Sequence, residues 1–342
     1  MKNFFVADAI KCADDPQRYI QAPFLVVSKQ RKPKKNGGDY LAMVLCDRTG
    51  QIEAKMWDNI EQFANAFDAD DIVNVKCYVN RYNGRPQLIL LSVSRLEAVQ
   101  VDFGDFLPKT SKNIDELWAR LSELAASVAE PHLVALLQSF LGDADFAAAF
   151  RTAPAAKSLH HATIGGLLEH VVSLMNLCDR ACGNYPATLV NRDLLLCGAF
   201  LHDIGKIHEL YYQRAFGYTT RGQLLGHMII ELEMLQQKIA GVQGFPDGLK
   251  TLLEHLIISH HGQYEFGSPK LPMFPEALML HYLDDLDSKM ESMRAQFERE
   301  ISASGPWAGY NSSLERNLLN SRKFLDEGTK QADAQVEATA TE

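Results

Sequence analysis

Histidine and aspartate side chains interrupt apolar segments in the second half of this 342-residue chain. The segment from Leu194 to Leu201 is apolar, and His202 and Asp203 follow it side by side. Burying an uncompensated carboxylate is costly, so Asp203 needs a partner. A divalent metal ion can be that partner, because imidazole and carboxylate are both common metal ligands. The pair therefore predicts metal chemistry at this point of the chain.

Further histidines and an aspartate lie on other apolar segments. A single histidine on an apolar helix is more often a hydrogen-bonded core residue, and that interpretation stays open for each of them taken alone. Together they favour a metal cluster, because helical bundles build such sites from inward-facing side chains of several helices. The candidate ligands are His170, His202, Asp203, His227, His260, His261 and Asp284.

A hydrophobic period near 3.6 residues, which begins at Asn113, predicts the helices that would position these residues. Pro275 suits the first turn of a helix, and Gly241 suits a helix end. This half of the chain is expected to be all-α. The predicted helices are Ile114–Ala129, His132–Leu141, Asp143–Thr152, Gly165–Cys182, Arg192–Ile207, Leu224–Ala240, Leu249–His261 and Glu276–Glu300.

The first part of the chain predicts strands instead. Short turns around Thr49-Gly50 and Asn83-Gly84 indicate hairpins. Five strands with a helix between the third and the fourth are the order of an OB-fold barrel. The predicted strands are Pro23–Gln30, Tyr40–Asp47, Gln51–Trp57, Asp71–Tyr82 and Pro86–Leu96, and the predicted helix is Asn59–Phe67.

The expected fold class is therefore multidomain α+β, with a five-stranded barrel followed by a helical bundle. We expect a nucleic-acid-binding barrel domain over residues 1–110 and a helical domain over residues 111–327. Residues 328–342 have no apolar periodicity and are expected to form a disordered tail.

The formal net charge of −9 is unevenly distributed. Residues 1–110 hold 15 Lys and Arg against 14 Asp and Glu, whereas the remainder holds 19 against 29. An acidic module can still bind phosphate through metal ions. No apolar stretch approaches the roughly 18 residues of a membrane span, and the first residues do not resemble a signal peptide. Six cysteines without a CxxC pair favour the reducing cytoplasm, and no membrane is expected as a partner.

The order His170, His202-Asp203, Asp284 resembles the H…HD…D pattern of the HD-domain metal-dependent phosphohydrolases. His227 and the pair His260-His261 resemble the extra histidines of members that bind more than one metal ion, such as the HD-GYP phosphodiesterases. The GYP segment is absent after His261, which disfavours hydrolysis of cyclic dinucleotides. With a barrel in front of the HD part, residues 20–325 resemble the YhaM-type 3′→5′ exoribonucleases.

This resemblance implies a role for each candidate ligand. His170, His202, Asp203 and Asp284 are expected to hold a first ion, and Asp203 is expected to bridge to a second. The second ion would be held by His227, His260 and His261. Asp284 is preferred to Asp287 because Asp284-x-x-Asp287-Ser resembles the Asp-x-x-Asp-Ala end of the family motif, whose first aspartate coordinates. Asp287 would instead orient a histidine ligand.

The expected ions are two Mn²⁺, with Co²⁺, Fe²⁺, Ni²⁺ and Mg²⁺ as alternatives. Water bound to such ions supplies hydroxide near neutral pH. Asp203, Lys206 and His161 are the predicted catalytic residues. Lys206 would donate to a phosphate oxygen or remain a surface lysine, and His161 would contact the scissile phosphate or cap a loop.

Basic and aromatic side chains in the barrel predict single-strand binding, which uses a basic groove and stacked aromatic rings. The run Lys29, Arg31, Lys32, Lys34 and Lys35 lies in the predicted first inter-strand loop, although a merely solvated loop is the alternative. Strand alternation places Trp57 and Tyr78 among polar residues, where each can stack on a base. Trp57 would otherwise pack under the following helix.

The predicted function is a metal-dependent 3′→5′ exoribonuclease that degrades single-stranded RNA, and also single-stranded DNA, to nucleoside monophosphates. One alternative is an HD-domain phosphohydrolase of nucleotides or cyclic nucleotides. The other is a nucleic-acid-binding protein without activity. A homo-oligomer is compatible with the sequence.

Overall fold

The N-terminal part of the chain forms a closed five-stranded barrel. The structure is a computed structural model that describes residues 2–12, 19–34, 37–82, 85–97, 103–107, 109–156, 163–212, 217–300 and 305–326. The elements of this part are α1 (Val6–Lys11), β1 (Tyr19–Pro33), β2 (Asp39–Asp47), β3 (Gly50–Met56), α2 (Ile60–Phe63), β4 (Ile72–Tyr82) and β5 (Arg85–Arg95). The strands follow the order β1-β2-β3-β5-β4 around the barrel. The prediction of an OB-fold is confirmed.

Strand pairing explains the shape of the barrel. β3 and β5 pair parallel over three residues of each strand, whereas the other neighbouring strands pair antiparallel. Side chains alternate as the sequence predicted, since Ala54 and Met56 of β3 and Val75 and Cys77 of β4 are buried inside the barrel. The residues between them point outward, which leaves the outer surface free for polar and aromatic side chains.

A buried ion pair joins the first residues of the chain to the barrel. Nζ of Lys2 lies 3.0 Å from Oδ2 of Asp47, and it lies 3.6 Å from the ring centroid of Phe24. The same Asp47 oxygen accepts a hydrogen bond of 2.8 Å from the backbone N–H of Val6. Burial lowers the pKa of the Lys2 ammonium, although Asp47 opposes that shift. The pair therefore ties the first residues and α1 to the end of β2.

The second part of the chain is helical, as predicted, and it adds two short antiparallel ribbons that the helical periodicity did not predict. The helices are α3 (Ile114–Ala126), α4 (Pro131–Leu141), α5 (Ala144–Thr152), α6 (Gly166–Cys182), α7 (Arg192–Leu201), α8 (Lys206–Glu209), α9 (Thr220–Ile239), α10 (Asp247–Ser259) and α11 (Pro275–Arg299). The ribbons pair β6 (Leu210–Tyr211) with β7 (Gly217–Tyr218), and β8 (Trp307–Asn311) with β9 (Arg316–Leu319).

Two helices differ from the prediction at places that matter for the site. The expected helix Arg192–Ile207 is interrupted, because α7 ends at Leu201 and a turn carries the chain to the four-residue α8. α9 begins four residues earlier than predicted and contains a kink at Gly226, where φ is 73° and ψ is 162°. A positive φ is readily adopted only by glycine. His202, Asp203 and His227 therefore lie beside irregular backbone.

The chain divides into two compact units. The first unit comprises Met1–Ser122, Gln138–Glu169 and Asp203–Lys238, and the second comprises Glu123–Leu137, His170–His202 and Ile239–Glu342. The domain boundary at residue 110 stays a prediction, and residues 328–342 lie outside the described residues. Across the described ranges no single helix is both long and apolar enough to span a membrane, and only α4 and α5, taken together as a bent pair, reach that length and apolarity.

Candidate metal centre and nucleic-acid surface

Three predicted ligands converge in the second unit. His170 lies on α6, His202 follows the last residue of α7, and Asp284 lies on α11. Nε2 of His170 is 3.1 Å from Nε2 of His202 and 3.2 Å from Oδ1 of Asp284. Nε2 of His202 is 3.8 Å from the same Asp284 oxygen. Three potential ligand atoms therefore lie within 4.8 Å of one another, and we call these three residues the His170 cluster.

The second ring nitrogen of each of these two histidines, Nδ1, forms a hydrogen bond on the side of the ring that faces away from the cluster. Nδ1 of His202 is 2.9 Å from the carbonyl oxygen of Ala199, and Nδ1 of His170 is 3.0 Å from Oδ2 of Asp287. A carbonyl oxygen can only accept, so Nδ1 of His202 carries the proton. Nε2 of the neutral ring then presents a lone pair. A hydrogen bond from Nδ1 to a carboxylate is the usual support of a metal-bound histidine.

The chemistry of this donor set suits a cation. Two imidazole nitrogens and one carboxylate oxygen face each other at 3.1 to 3.8 Å. In the neutral tautomers all three atoms are electron-pair donors, which repel one another unless a positive charge lies among them. Imidazole and carboxylate together match the ligand preferences of Mn²⁺, Fe²⁺ and Zn²⁺. The residues present therefore fit a divalent ion.

A second convergence lies in the first unit, which we call the Asp203 cluster. Oδ1 of Asp203 is 3.7 Å from Nε2 of His227, and the ligand atoms of Asp203, His227 and Glu231 all lie within 4.8 Å of one another. Glu209 accepts hydrogen bonds at one oxygen from the backbone N–H of His227, at 3.0 Å, and from its Nδ1, at 3.2 Å. Glu209 therefore orients the His227 ring as Asp287 orients His170.

Glu231 is a member of this cluster that the sequence analysis missed. It lies one helical turn after His227 on α9 and is 0% exposed. Burial, together with the negative charge of Asp203, raises the pKa of its carboxyl group well above the usual range. Burial is the largest single effect on Glu209 and raises its pKa, but the hydrogen bonds and charge of His227 and the charge of Lys206 together outweigh it, so the pKa of Glu209 is lowered. The spacing His227-x-x-x-Glu231 is the signal that pointed to it, since residues four apart share a helix face.

Lys206, predicted to donate to a phosphate oxygen, contacts Asp203 in this structure. Its Nζ lies 2.6 Å from Oδ2 of Asp203, while Oδ1 of the same carboxylate faces His227. The two oxygens of Asp203 therefore serve different neighbours. His161, the third predicted catalytic residue, lies outside the described residues.

His260 and His261 lie in the second unit, close to His202. The ring centroids of His202 and His260 are 5.3 Å apart, and those of His260 and His261 are 4.4 Å apart. Nδ1 of His260 donates to the carbonyl oxygen of Ile257 at 2.6 Å, and Nδ1 of His261 donates to that of Phe266 at 2.8 Å. All five predicted histidine ligands thus have Nδ1 bound to a carbonyl or carboxylate oxygen. The grouping of His260 and His261 with His227 stays a prediction.

The backbone of this histidine pair is itself supported. Nδ1 of His281 donates to the carbonyl oxygen of His260 at 2.9 Å. The His281 ring packs so closely on Gly262 that a Cβ at this position would overlap it. Gly262 also has a φ of 74°, which favours glycine. His281 therefore helps to place His260.

The basic run of the barrel lies in a different element from the predicted one. Lys29, Arg31 and Lys32 belong to β1, which extends to Pro33, so their placement in an inter-strand loop was wrong. The reason is pairing with β2, which continues from Lys29 opposite Met43 to Pro33 opposite Asp39. Lys35 lies outside the described residues.

Two of these cations are held by the barrel itself. Nζ of Lys29 donates to the carbonyl oxygen of Ala64, directly after α2, at 2.8 Å and to that of Phe67, and it lies over the Phe67 ring. The guanidinium of Arg31 binds Asp39 and Glu61. Lys32 is exposed in β1, where it lies opposite Tyr40.

An aromatic stack lies next to Lys32. The rings of Tyr40 and Trp57 are stacked, with centroids 4.5 Å apart and planes at 24°. Trp57 is 36% exposed. Nζ of Lys34 donates to the backbone carbonyl of Trp57. Tyr40 was not predicted, and its signal is the β2–β3 hairpin, in which the pairing of Leu41 with Met56 brings the flanking residues together.

Lys55 and Tyr82 extend this surface. Nζ of Lys55 lies 5.8 Å from the Trp57 ring centroid and 4.8 Å from that of Tyr82, which is exposed. We call Tyr40, Lys55, Trp57 and Tyr82 the aromatic strip. Tyr78 lies on β4, four residues before Tyr82, and its ring meets that of Tyr19 edge-on at 6.4 Å.

Two models of known families match the chain. The OB-fold nucleic acid binding domain matches residues 25–96, and the HD domain matches residues 167–289. The chain is therefore a protein with an OB-fold and an HD domain, as predicted. The HD domain and the histidine and aspartate clusters indicate that it binds divalent metal ions.

Proteins described as 3′-5′ exoribonuclease YhaM match most of the chain. The one from Bacillus velezensis is 36% identical over 277 residues, which cover 81% of this chain and 87% of that protein. The one from Bacillus subtilis is 36% identical over 278 residues, which cover 80% and 86%. The one from a Geobacillus species is 34% identical over 281 residues, which cover 82% and 85%. The chain belongs to the YhaM family of 3′-5′ exoribonucleases.

Proposed function

We propose that this protein is a divalent-metal-dependent exoribonuclease that removes nucleoside monophosphates from the 3′ end of single-stranded RNA. The observation that carries the proposal is the His170 cluster, in which Nε2 of His170, Nε2 of His202 and Oδ1 of Asp284 face one another. It lies within the HD domain of a chain whose relatives are described as 3′-5′ exoribonucleases.

The ligands are prepared for a cation before it binds. Asp287 and the Ala199 carbonyl hold the rings of His170 and His202 with Nε2 inward, so no side-chain rearrangement is needed. An ion bound there supplies positive charge that lowers the pKa of a coordinated water and balances the charge of the phosphodiester. Lys206, held beside Asp203, is the proposed donor to a phosphate oxygen.

We further propose that each cluster binds one ion and that the physiological metal is Mn²⁺. The donor sets support this proposal, because a mixture of imidazole and carboxylate suits Mn²⁺ and Fe²⁺. We also propose a cytoplasmic location, which is supported by cysteines that form no disulfide bond in the described part of the chain. These cysteines are Cys12, Cys46, Cys77, Cys178, Cys182 and Cys197.

We propose that the aromatic strip of the barrel binds the RNA strand. Trp57 is stacked on Tyr40 on one side, so a base would extend an existing stack. Lys55 and Lys32 supply positive charge for the phosphates nearby. Base stacking does not require the 2′-hydroxyl group, so single-stranded DNA is a proposed second substrate.

The test is a time course on unstructured RNA labelled at either end, with Mn²⁺ and with EDTA. Label at the 5′ end should give a shrinking ladder, and label at the 3′ end should appear at once as mononucleotide. EDTA should stop both. Asp284→Asn should abolish the reaction, whereas the matched variant Asp285→Asn should not, because Asp285 is half-buried and pairs with Lys289.

Intact RNA together with rapid hydrolysis of mononucleotides or cyclic nucleotides would replace the proposal with a nucleotide phosphohydrolase. Degradation that EDTA leaves unchanged would exclude the metal. Binding of RNA without any hydrolysis in Mn²⁺ would indicate a protein that only binds nucleic acid.

A further inference from the structure

Glu231 is a buried carboxylate that no predicted role accounts for. One oxygen, Oε1, accepts a hydrogen bond of 3.2 Å from the backbone N–H of Gly205. The other, Oε2, is fully buried and has no hydrogen-bond partner among the described residues. A buried carboxylate oxygen without a donor is expensive, so its retention requires a compensating positive group.

The neighbours of Glu231 increase the free-energy cost of burying its carboxylate. A carboxylate oxygen of Asp203 lies within 4.8 Å of a carboxylate oxygen of Glu231. Nζ of Lys206 forms an ion pair with Asp203. Two neighbouring carboxylates and an imidazole nitrogen of His227 therefore lie close together, and Lys206 pairs with one of the carboxylates.

The backbone brings this arrangement about. Gly205 lies in the turn that follows Asp203, and it packs on α9 so closely that a Cβ would overlap the carbonyl oxygen of His227. The same Cβ would lie 2.7 Å from Cγ of Glu231. Only glycine permits that approach. The turn after His202-Asp203 and the Glu231 carboxylate are therefore packed together by backbone contact rather than by a flexible side chain.

We infer that Glu231 is a ligand of the divalent cation that Asp203 and His227 bind, so that this position has two carboxylate oxygens and one imidazole nitrogen. The inference rests on the proposed function, and it concerns a residue that the HD pattern does not include. The His170 cluster offers two nitrogens and one oxygen instead. Oxygen ligands suit Mn²⁺, so the Asp203 cluster is the more manganese-selective of the two.

The experiment compares Glu231→Gln, Glu231→Asp and the matched control Glu233→Gln in the full chain. Glutamine keeps the volume and the oxygen that accepts from Gly205, but it lacks the negative charge. Aspartate keeps the charge and leaves a small gap. Glu233 lies on the same helix, is exposed and pairs with Arg221. The readouts are Mn²⁺ bound per chain after dialysis, Mn²⁺ affinity, and the melting temperature in EDTA and in Mn²⁺.

For a ligand, Glu231→Gln should bind about one Mn²⁺ fewer than the wild type, or bind it at least about tenfold more weakly. Its melting temperature in EDTA should not fall, and the rise caused by Mn²⁺ should shrink. Glu231→Asp should recover part of the Mn²⁺ binding. Glu233→Gln should match the wild type in all readouts.

If Glu231 is only a packing residue, Glu231→Gln should bind Mn²⁺ normally and Glu231→Asp should have a lower melting temperature in EDTA. That result would overturn the inference and leave the proposed function intact. If Glu231→Gln fails to fold, recovery of Mn²⁺ binding by Glu231→Asp supports the inference and loss of folding in both overturns it. A wild type that binds no Mn²⁺ would overturn the proposed function itself.

Discussion

The Asp287 carboxylate lies 3.0 Å from Nδ1 of His170, on the side of the ring opposite to the nitrogen that faces His202. Its second oxygen accepts a hydrogen bond of 2.6 Å from the hydroxyl of Ser173. Both oxygens are therefore engaged away from the centre of the cluster. Asp287 is a positioning residue, and Asp284, one turn earlier on α11, is the proposed ligand.

Replacement of Asp287 tests this division of roles. Asp287→Asn should weaken Mn²⁺ binding about 10- to 100-fold, because the ring of His170 loses its support and its basicity falls. High Mn²⁺ should restore most of the activity. Asp284→Asn should not recover in this way. A Mn²⁺ titration of both variants distinguishes them. Recovery of Asp284→Asn alone would reverse the two roles, and equal recovery would mean that the two residues do not differ in role.

Lys206 gives a second test, since it contacts Asp203 and is proposed to donate to the substrate. Lys206→Met should keep the bound Mn²⁺ and lower kcat by about 100-fold, the loss typical of one removed transition-state donor. The measurement pairs metal content with single-turnover rates. Loss of bound metal would show instead that Lys206 acts only by holding Asp203.

The aromatic strip predicts losses in RNA affinity without loss of fold. Trp57→Ala and Tyr40→Ala should each weaken RNA binding by about 1–3 kcal/mol, the usual contribution of a stacked base. Tyr19→Ala, on the exposed part of β1, is the matched control. Fluorescence anisotropy in EDTA measures binding without turnover. A lower melting temperature with unchanged affinity would show that Trp57 packs against the barrel instead.

Replacement of Gly262 is expected to lower the stability of the fold, and replacement of Gly244 serves as the control. Gly262 and Gly244 both have a positive φ, which is 71° at Gly244. The added methyl group would overlap the His281 ring in Gly262→Ala, whereas it would enter open space in Gly244→Ala. Both variants should lose about 1–2 kcal/mol from the left-handed backbone, and Gly262→Ala should lose more. Thermal unfolding gives the comparison. Equal losses would mean that His281 moves aside easily.

Asp143, the N-cap residue of α5, is expected to make the stability of the fold depend on pH. Asp143 accepts hydrogen bonds from the backbone N–H groups of Asp145 and Phe146, and Nζ of Lys238 lies 2.7 Å from its second oxygen. The bond from Lys238, followed by that from Phe146, lowers the pKa of Asp143. Asp143→Ala should cost about 0.5–2 kcal/mol at neutral pH.

The sign of the pH effect follows from that direction. A carboxyl group whose pKa is lower in the folded state stabilises the fold above its unfolded pKa of about 3.9, and the contribution disappears as the pH falls through the folded pKa. The melting temperatures of wild type and Asp143→Ala should therefore converge below about pH 4. A difference that stays constant would exclude the ionised carboxylate as its source.

Local signals were sufficient for much of the fold. The β2–β3 hairpin follows from alternation and a short turn, and both are properties of neighbouring residues. His202 and Asp203 were conspicuous because polar side chains seldom interrupt a buried helix. Packing determined the rest. β1 extends through the basic run because it pairs with β2, and no local pattern reports that pairing.

Glu231 shows why part of the site escaped prediction. A glutamate on a helix is usually solvated, and its burial here depends on the turn around Gly205. The kink at Gly226 likewise sets the direction of His227. Both features arise from contacts between distant parts of the chain, which a one-dimensional pattern does not contain.

The barrel closes through its shortest ladder, which pairs three residues of β3 with three of β5. Amide protons in this seam should exchange with deuterium earlier than those of the longer β4–β5 ladder, because fewer hydrogen bonds must open. Lys55 of β3 reaches across β5 to Tyr82 at the end of β4. A strand of RNA bound to the aromatic strip would therefore stabilise the pairing of β3 with β5 from outside the barrel. RNA binding should then slow the amide exchange of these two strands.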